Sequence, residues 1–399
     1  MSITHDDGST HSASVNSQLS TLYNWIVHNK TFRSATNVLR GLAAFSVLLW
    51  HYQHFFFKDR SNFDANNQPL FRLFGIFYES GYLAVQLFWS ISGLVLCHAY
   101  MNRLTPNWSS FFWARFSRLY PLHLITLIVV AILQLANLHV LHAFRIYQVN
   151  DVRHFILNIF FIQSWGLENG YSFNAPTWSV SVEIAVYLLY FFSIPLLKRT
   201  RLFGSLALLG MWSITSKMIG GVFFYECLGY FLAGVALWFA VSNKSPLKSI
   251  SSGFFVTAFS IIILSGNSFS FKTTVLMTSL FIATLLDQSK LPIHGKSLRR
   301  FGELTYSVFL WHVPIQLFII LSFERASISI SIFETAPFFF IYLALVYGIA
   351  NFSFIYLENP LKRLILNRSL SPKEWLENWW LAPLFDGAIL QAPAQVAQG

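Results

Sequence analysis

The chain has 399 residues, of which 55% are hydrophobic and 11% charged, with a mean hydropathy of +0.52; this balance excludes an ordinary soluble enzyme and indicates a polytopic, all-α transmembrane helix bundle. The net charge of +10 is spread over many short loops, which excludes a nucleic-acid-binding patch and fits the charge bias that orients membrane proteins. Both cysteines, Cys97 and Cys227, fall inside apolar runs, so neither a disulfide framework nor a metal centre is expected.

Residues 1–34 form a polar segment rich in Ser, Thr, His and Asn, without the apolar core and cleavage site of a secretory signal. A membrane domain is expected over 35–365. Windows of about 20 apolar residues are needed to cross the hydrocarbon core. They occur near 35–57, 79–101, 119–143, 178–197, 202–219, 221–241, 250–266, 270–288, 304–323 and 337–357, about ten in all. Residues 366–399 read as a cytoplasmic tail, a surface helix followed by a disordered end.

The run at 153–165, RHFILNIFFIQSW, is short and polar-flanked. With ten spans and both termini inside, 19 of the 27 Lys and Arg lie on the inner side; counting 153–165 as a further span leaves 9 inside and opposes the positive-inside rule. It is therefore read as an interfacial or re-entrant segment on the outer side.

The span 35–57 carries Arg40 at its inner end and His51 six residues before its outer end, roughly 9 Å deep. Eleven residues are close to three helical turns, so both side chains share one face, about 16 Å apart along the axis. Arg40 also fits a snorkelling anchor, and His51 fits an imidazole bonded to a neighbouring carbonyl. An ionisable group at this depth otherwise faces a cavity or a partner. His54 is expected at the interface.

Glu183, in TWSVSVEIAVYLLY, lies five residues from the outer end of its span, about 7.5 Å deep and close to the depth of His51. A carboxylate and an imidazole at one depth form the base-and-orienter pair used in acyl transfer. Glu226 in FFYECLGY is a rival, and either acid also fits a neutral group holding helices together. Trp178 and Ser179, polar and interfacial groups opening the span, favour Glu183.

Between the second and third spans, SSFFWARFSRLYPLHL places Arg115 and Arg118 one turn apart on an expected interfacial helix that Pro121 breaks. Two guanidiniums so spaced grip a phosphate, although topogenic charge accounts for them equally. A phosphate grip inside and a histidine toward the outside fit a long donor lying along the protein. Acyl-coenzyme A has that shape, with its nucleotide on Arg115, Arg118 and Arg40 and its thin arm reaching His51.

These motifs resemble acyltransferase family 3, the integral membrane O-acyltransferases, over about residues 35–365. Arg40 to His51 resembles the family's Arg-x10-His, and Arg115 to Arg118 its Arg-x-x-Arg. Trp178, Ser179 and Glu183 resemble Trp-Ser-x-x-x-Glu. GYLAVQLFWSISGLVL is similar to the second span with its Ser92-Gly93 pair, LTYSVFLWHVPI to the late segment ending in His312, and YLENPLKR to the closing Glu-x-Pro. Two positions depart: Ala84-Val85-Gln86 stands where Gly-Val-Asp is frequent, and Thr305-Tyr306 stands where Ser-Tyr is usual.

The resemblance implies transfer of an acyl group, most often acetyl, from cytoplasmic acyl-CoA to a hydroxyl of a cell-surface or lipid-linked carbohydrate at a bacterial inner membrane. No cofactor is expected beyond acyl-CoA as co-substrate. His51 would be base or transient acyl carrier and Glu183 its orienter; Ser92, Trp178, Ser179, Tyr306 and His312 would line the substrate path. The alternative is a transporter or export factor for a sugar or anionic substrate with a His/Glu proton relay.

Overall fold

The computed structural model describes residues 34–101, 107–219, 223–242, 245–266, 270–289 and 296–366. The expected polar segment before residue 34 and the tail beyond 366 lie outside the described residues. Every regular element among those described is helical. Among the described residues seven stretches are long and apolar enough to cross a membrane by length and composition, and the protein is an integral, multi-pass membrane protein.

The chain opens with α1 (Ser34–Trp50), which passes directly into a 3-10 segment over His51–Asn62. The start of α1 is held from a distance. Asp287 accepts from the backbone N–H of Ala35 (2.7 Å) and Thr36 (3.1 Å) and from the Thr36 hydroxyl (2.5 Å). A carboxylate at a helix N-terminus answers orphan amide donors and the positive end of the dipole together.

A short helix, α2 (Phe71–Ser80), leads into α3 (Ala84–Tyr100). Next comes α4 (Trp108–Leu141), 34 residues and about 51 Å long. The break expected at Pro121 is absent. Pro121 sits inside one continuous helix that carries the Arg115–Arg118 turn straight into the bundle. Proline is tolerated in membrane helices packed among neighbours; close by, Tyr306 donates to the Leu119 carbonyl at 2.5 Å and ties α4 to a later helix.

α5 (Val152–Ile159) has eight residues, about 12 Å, too short to cross. Asp151 caps it, accepting from the His154 amide and ring Nδ1, each at 2.8 Å. The amide bond foremost holds the Asp151 carboxyl below its usual pKa. The segment after α5 tucks inward: Ser181 donates to the Phe161 carbonyl at 2.7 Å, and His123 Nε2 bonds the Asn158 carbonyl at 2.8 Å.

α6 (Trp178–Ile219) consists of two helical arms that meet at a kink, where Arg201 has the non-helical φ 52° and ψ −129°. A straight helix of 42 residues would run about 63 Å, twice the hydrocarbon thickness. Instead the chain folds back at Arg201: the Trp178 ring lies 4.4 Å from that of Phe223, and Trp212 Nε1 donates to the Tyr225 carbonyl at 2.5 Å. Both arms therefore meet the first turns of α7 (Phe223–Val241), as the boundary expected between 197 and 202 requires.

α7 is the buried axis. Along one stripe its backbone touches that of α3: a Cβ on Gly93 would strike the Phe231 carbonyl, and one on Gly234 the Ser90 carbonyl. The Ser92-Gly93 pair read in the sequence thus permits helix contact at backbone distance. The remaining helices are α8 (Pro246–Ser265), α9 (Phe271–Gln288), α10 (Lys296–Glu303), α11 (Thr305–Arg325), α12 (Ala336–Ser353) and α13 (Asn359–Leu366). A π-helical turn, Phe354–Glu358, joins the last two.

Gly93→Ala is expected to destabilise the bundle by about 1–3 kcal/mol through overpacking, read as a lowered melting temperature in detergent. Asp287→Ala should cost about 1–2 kcal/mol through loss of the α1 cap, with Asp287→Asn intermediate.

Candidate active site

Five helices contribute to one internal cavity of about 90 Å³. Arg40 enters from α1, Ser92 from α3, Arg115 and Arg118 from α4, Ser179, Glu183 and Tyr187 from the first arm of α6, and Tyr306 from α11. Helical geometry explains the grouping, since Ser179, Glu183 and Tyr187 recur every four residues on one face and the two arginines stand one turn apart. Trp178 stands behind this wall, edge-on to Trp89 at 5.8 Å. Trp89 Nε1 donates to the Ser179 carbonyl at 3.3 Å.

Glu183 is buried, and its Oε1 accepts from the Tyr187 hydroxyl at 2.8 Å. That hydroxyl also lies 3.4 Å from Ser92 Oγ. The charges of Arg118 and Arg115 act on Glu183, but among the described residues no carboxylate comes within ion-pair distance of either guanidinium. Arg115 Nε is buried and bonded to nothing described. A second buried acid, Glu358 on the π-turn, accepts from Ser307 at 2.6 Å and feels Lys362, Arg118 and Arg40. The cavity is thus a cationic recess with one acid, Glu183, in its wall and a second, Glu358, outside its lining.

His51 stands elsewhere. It occupies the junction where α1 becomes a 3-10 helix, and its Nδ1 bonds the Val47 carbonyl at 2.9 Å, one turn back. The bond makes Nδ1 the donor and leaves Nε2 as the basic nitrogen; no described residue bonds Nε2. Its ring lies 4.9 Å from that of His312 and 4.9 Å from that of His54. His312 is buried, with the Val308 and Phe309 carbonyls behind it, and among the described residues neither ring nitrogen has a hydrogen bond of normal geometry.

The structure groups Glu183 with the arginines, and no hydrogen bond joins it to His51 among the described residues. The orienting contact of His51 is the Val47 carbonyl. Glu226, the rival acid, accepts from the Gln86 amide, so the amide at the position where the family often has Asp faces a carboxylate on α7.

A relay fixes the turn around His51. Gln316 Nε2 donates to the His51 carbonyl at 2.9 Å, its Oε1 meets His54 Nδ1 at 2.9 Å, and His54 Nε2 meets the Tyr147 hydroxyl at 3.2 Å. Because the Gln316 amide group is committed as donor, Oε1 accepts, Nδ1 of His54 carries the proton, and Tyr147 donates to Nε2. His54, expected at the interface, is buried within this relay.

Sequence reasoning missed Tyr187, Glu358, Gln316, Tyr147 and the role of His54. Tyr187 and Gln316 had a signal, each lying four residues beyond a residue already singled out. Glu358 stood inside a quoted motif. Tyr147 had none, since a loop delivers it.

α1 and α11 run side by side from the cavity to the histidines. Arg40 and Tyr306 line the cavity while His51 and His312 touch, about 16 Å and 9 Å farther along the respective axes. A multi-pass helix bundle with a cationic recess at one end of this helix pair and an imidazole nitrogen without a described partner at the other carries groups suited to a transferase. Comparison with known proteins agrees: the family model described as "Acyltransferase domain", acyltransferase family 3, matches residues 33–352, and the chain belongs to this family. It is 37% identical over 94 residues to "Protein 2 in picA locus" of Rhizobium radiobacter, a match covering 22% of this chain and 39% of that protein. No solved structure matches.

Gln316→Ala removes both contacts that hold the His51–His54 turn. It should lower activity at least tenfold while leaving ligand binding at the arginine cavity within twofold, as read by calorimetric titration against kinetics.

Proposed function

We propose that the protein transfers an acyl group, acetyl first, from cytoplasmic acyl-CoA to a hydroxyl of a cell-surface or lipid-linked carbohydrate at a bacterial inner membrane. The bundle then has about ten spans with both termini inside. The observation that carries the reading is the cavity, where Arg40, Arg115 and Arg118 converge and a buried Arg115 donor has no described partner. Burying such a donor is costly unless a ligand supplies an acceptor, and phosphate oxygens do so with charge. The recess is slim, so it takes a phosphate or the extended thioester arm, and the nucleotide remains at its mouth.

In this mechanism the arm follows the α1/α11 track and brings the thioester carbonyl to His51. Nε2 of His51 removes the acceptor hydroxyl proton as the oxygen attacks that carbonyl. Collapse of the tetrahedral intermediate breaks the C–S bond, and the thiolate of coenzyme A leaves with the proton from His51. The Val47 carbonyl orients the imidazole and steadies its protonated form. A ring N–H of His312 is free to donate to the oxyanion. Glu183, through Tyr187, and Glu358, through Ser307, hold the donor end in register.

Thiol release from isotope-labelled acetyl-CoA, followed for wild type and His51→Ala at equal protein, tests the reading. Loss of at least a hundredfold in the mutant is expected; near-normal transfer by His51→Ala would falsify it. Arg115→Ala and Arg118→Ala should each raise KM for acetyl-CoA about tenfold, the worth of one charge-assisted contact.

A further inference from the structure

A second cavity, about 390 Å³, opens among the loops that follow α1, α4 and α11. It lies beyond the histidines, on the opposite side from the arginine recess, and its volume falls in the range of small-molecule sites. The rings of Phe57, Phe144, Phe323 and Phe333 line it. Arg145 and Glu324 form a side-on pair in its wall, Nε to Oε1 at 3.0 Å and Nη2 to Oε2 at 2.7 Å. His54 lines it as well, and its ring touches His51.

We propose that this outer pocket receives the acceptor, and that the part it receives is an uncharged, polyhydroxylated ring. The inference rests on the acyltransferase reading and adds to it where the acceptor sits and what charge it carries. Three features support it. The phenylalanine faces suit the C–H faces of a saturated ring. The paired guanidinium and carboxylate offer donors and acceptors together, as hydroxyl groups require, while their charges cancel. An anionic ring would set its carboxylate against Glu324 and would have to disrupt a largely buried pair, with side-chain exposures of 16% and 12%. The His54 wall sets a hydroxyl of the bound ring one side chain from His51.

Photoaffinity labelling tests this on the intact wild-type protein in a sugar-free detergent. The probe is an alkyl β-glucoside bearing a diazirine on the ring. Label is expected on residues 143–148 or 320–333, competed by methyl β-glucoside and not by the matching glucuronide. Phe144→Ala and, independently, Gln148→Ala at the pocket rim should weaken that competition about tenfold and leave KM for acetyl-CoA within twofold. Absence of label, label confined elsewhere, or equal competition by the glucuronide overturns the proposal. Thiol release from acetyl-CoA, measured on the same samples with and without methyl β-glucoside, separates the two readings. Label in the pocket without thiol release sinks the donor chemistry and leaves the pocket. Thiol release with no label there does the reverse.

Discussion

A guanidinium taken into a helix bundle keeps its charge, because no accessible shift in pKa neutralises it. It must therefore be answered by something other than lipid. In this protein the answer is deliberately incomplete. Arg115 and Arg118 stand one turn apart on α4, inside the membrane domain, within the electrostatic reach of Glu183 and Glu358 but outside ion-pair contact with them. The acids lower the cost of bringing the cations in, and their engagement with Tyr187 and Ser307 keeps them from closing onto the guanidiniums. A direct pair would be more stable and chemically inert. Set back by one hydrogen bond, the acids leave donors facing an open recess.

The same logic shapes the helices. Pro121 lies within three residues of Arg118, yet α4 runs on without a break, and the Tyr306 hydroxyl of α11 donates to the nearby Leu119 carbonyl, tying the two helices together. The π-turn before α13 sets Glu358 opposite Ser307; such turns add one residue to a helical cycle and re-aim a side chain that regular spacing would direct elsewhere. At the far end of the track, α1 gives way to 3-10 geometry at His51. The freed carbonyl of Val47 accepts from the imidazole itself, so the change of helix type that ends α1 also selects the basic nitrogen.

The membrane character, the helical content and the failure of the run at 153–165 to make a spanning helix were legible because each depends on composition, window length and charge bias, which are local quantities. The hairpin within α6 was legible for a related reason: KRTR at 198–201 interrupts an apolar run long enough to cross twice. Periodicity also placed Arg40 and His51 on one face and Arg115 beside Arg118. It failed where depth was inferred by counting from a span boundary. Glu183 was set level with His51 on the assumption that its helix begins at the outer surface, but the segment after α5 folds inward against Ser181, and Glu183 shares a cavity with the arginines. Pro121 misled for the opposite reason: the local rule that proline ends a helix gives way inside a packed membrane bundle, where α4 runs on without a break. Tyr147 was invisible, since nothing in a loop sequence records which buried imidazole its hydroxyl meets.

Two cavities and one pair of parallel helices leave the reacting groups with a division of labour set by solvation. The arginine recess gathers charge, and on the proposed reading it takes the donor, whose phosphates bring their own counter-charge. The outer pocket has an aromatic wall and a self-neutralised ion pair, which gives no electrostatic advantage to an anion and every steric advantage to a compact neutral ring. Between them stand His51 and His312, with ring centroids 4.9 Å apart, His312 buried and His51 half-buried beside it. On the proposed reading, an imidazolium formed at His51 during proton transfer would be poorly solvated, so the proton it gained would pass readily to the departing thiolate. The buried setting that makes a histidine expensive in a membrane helix thus also favours a base that releases its proton within each turnover.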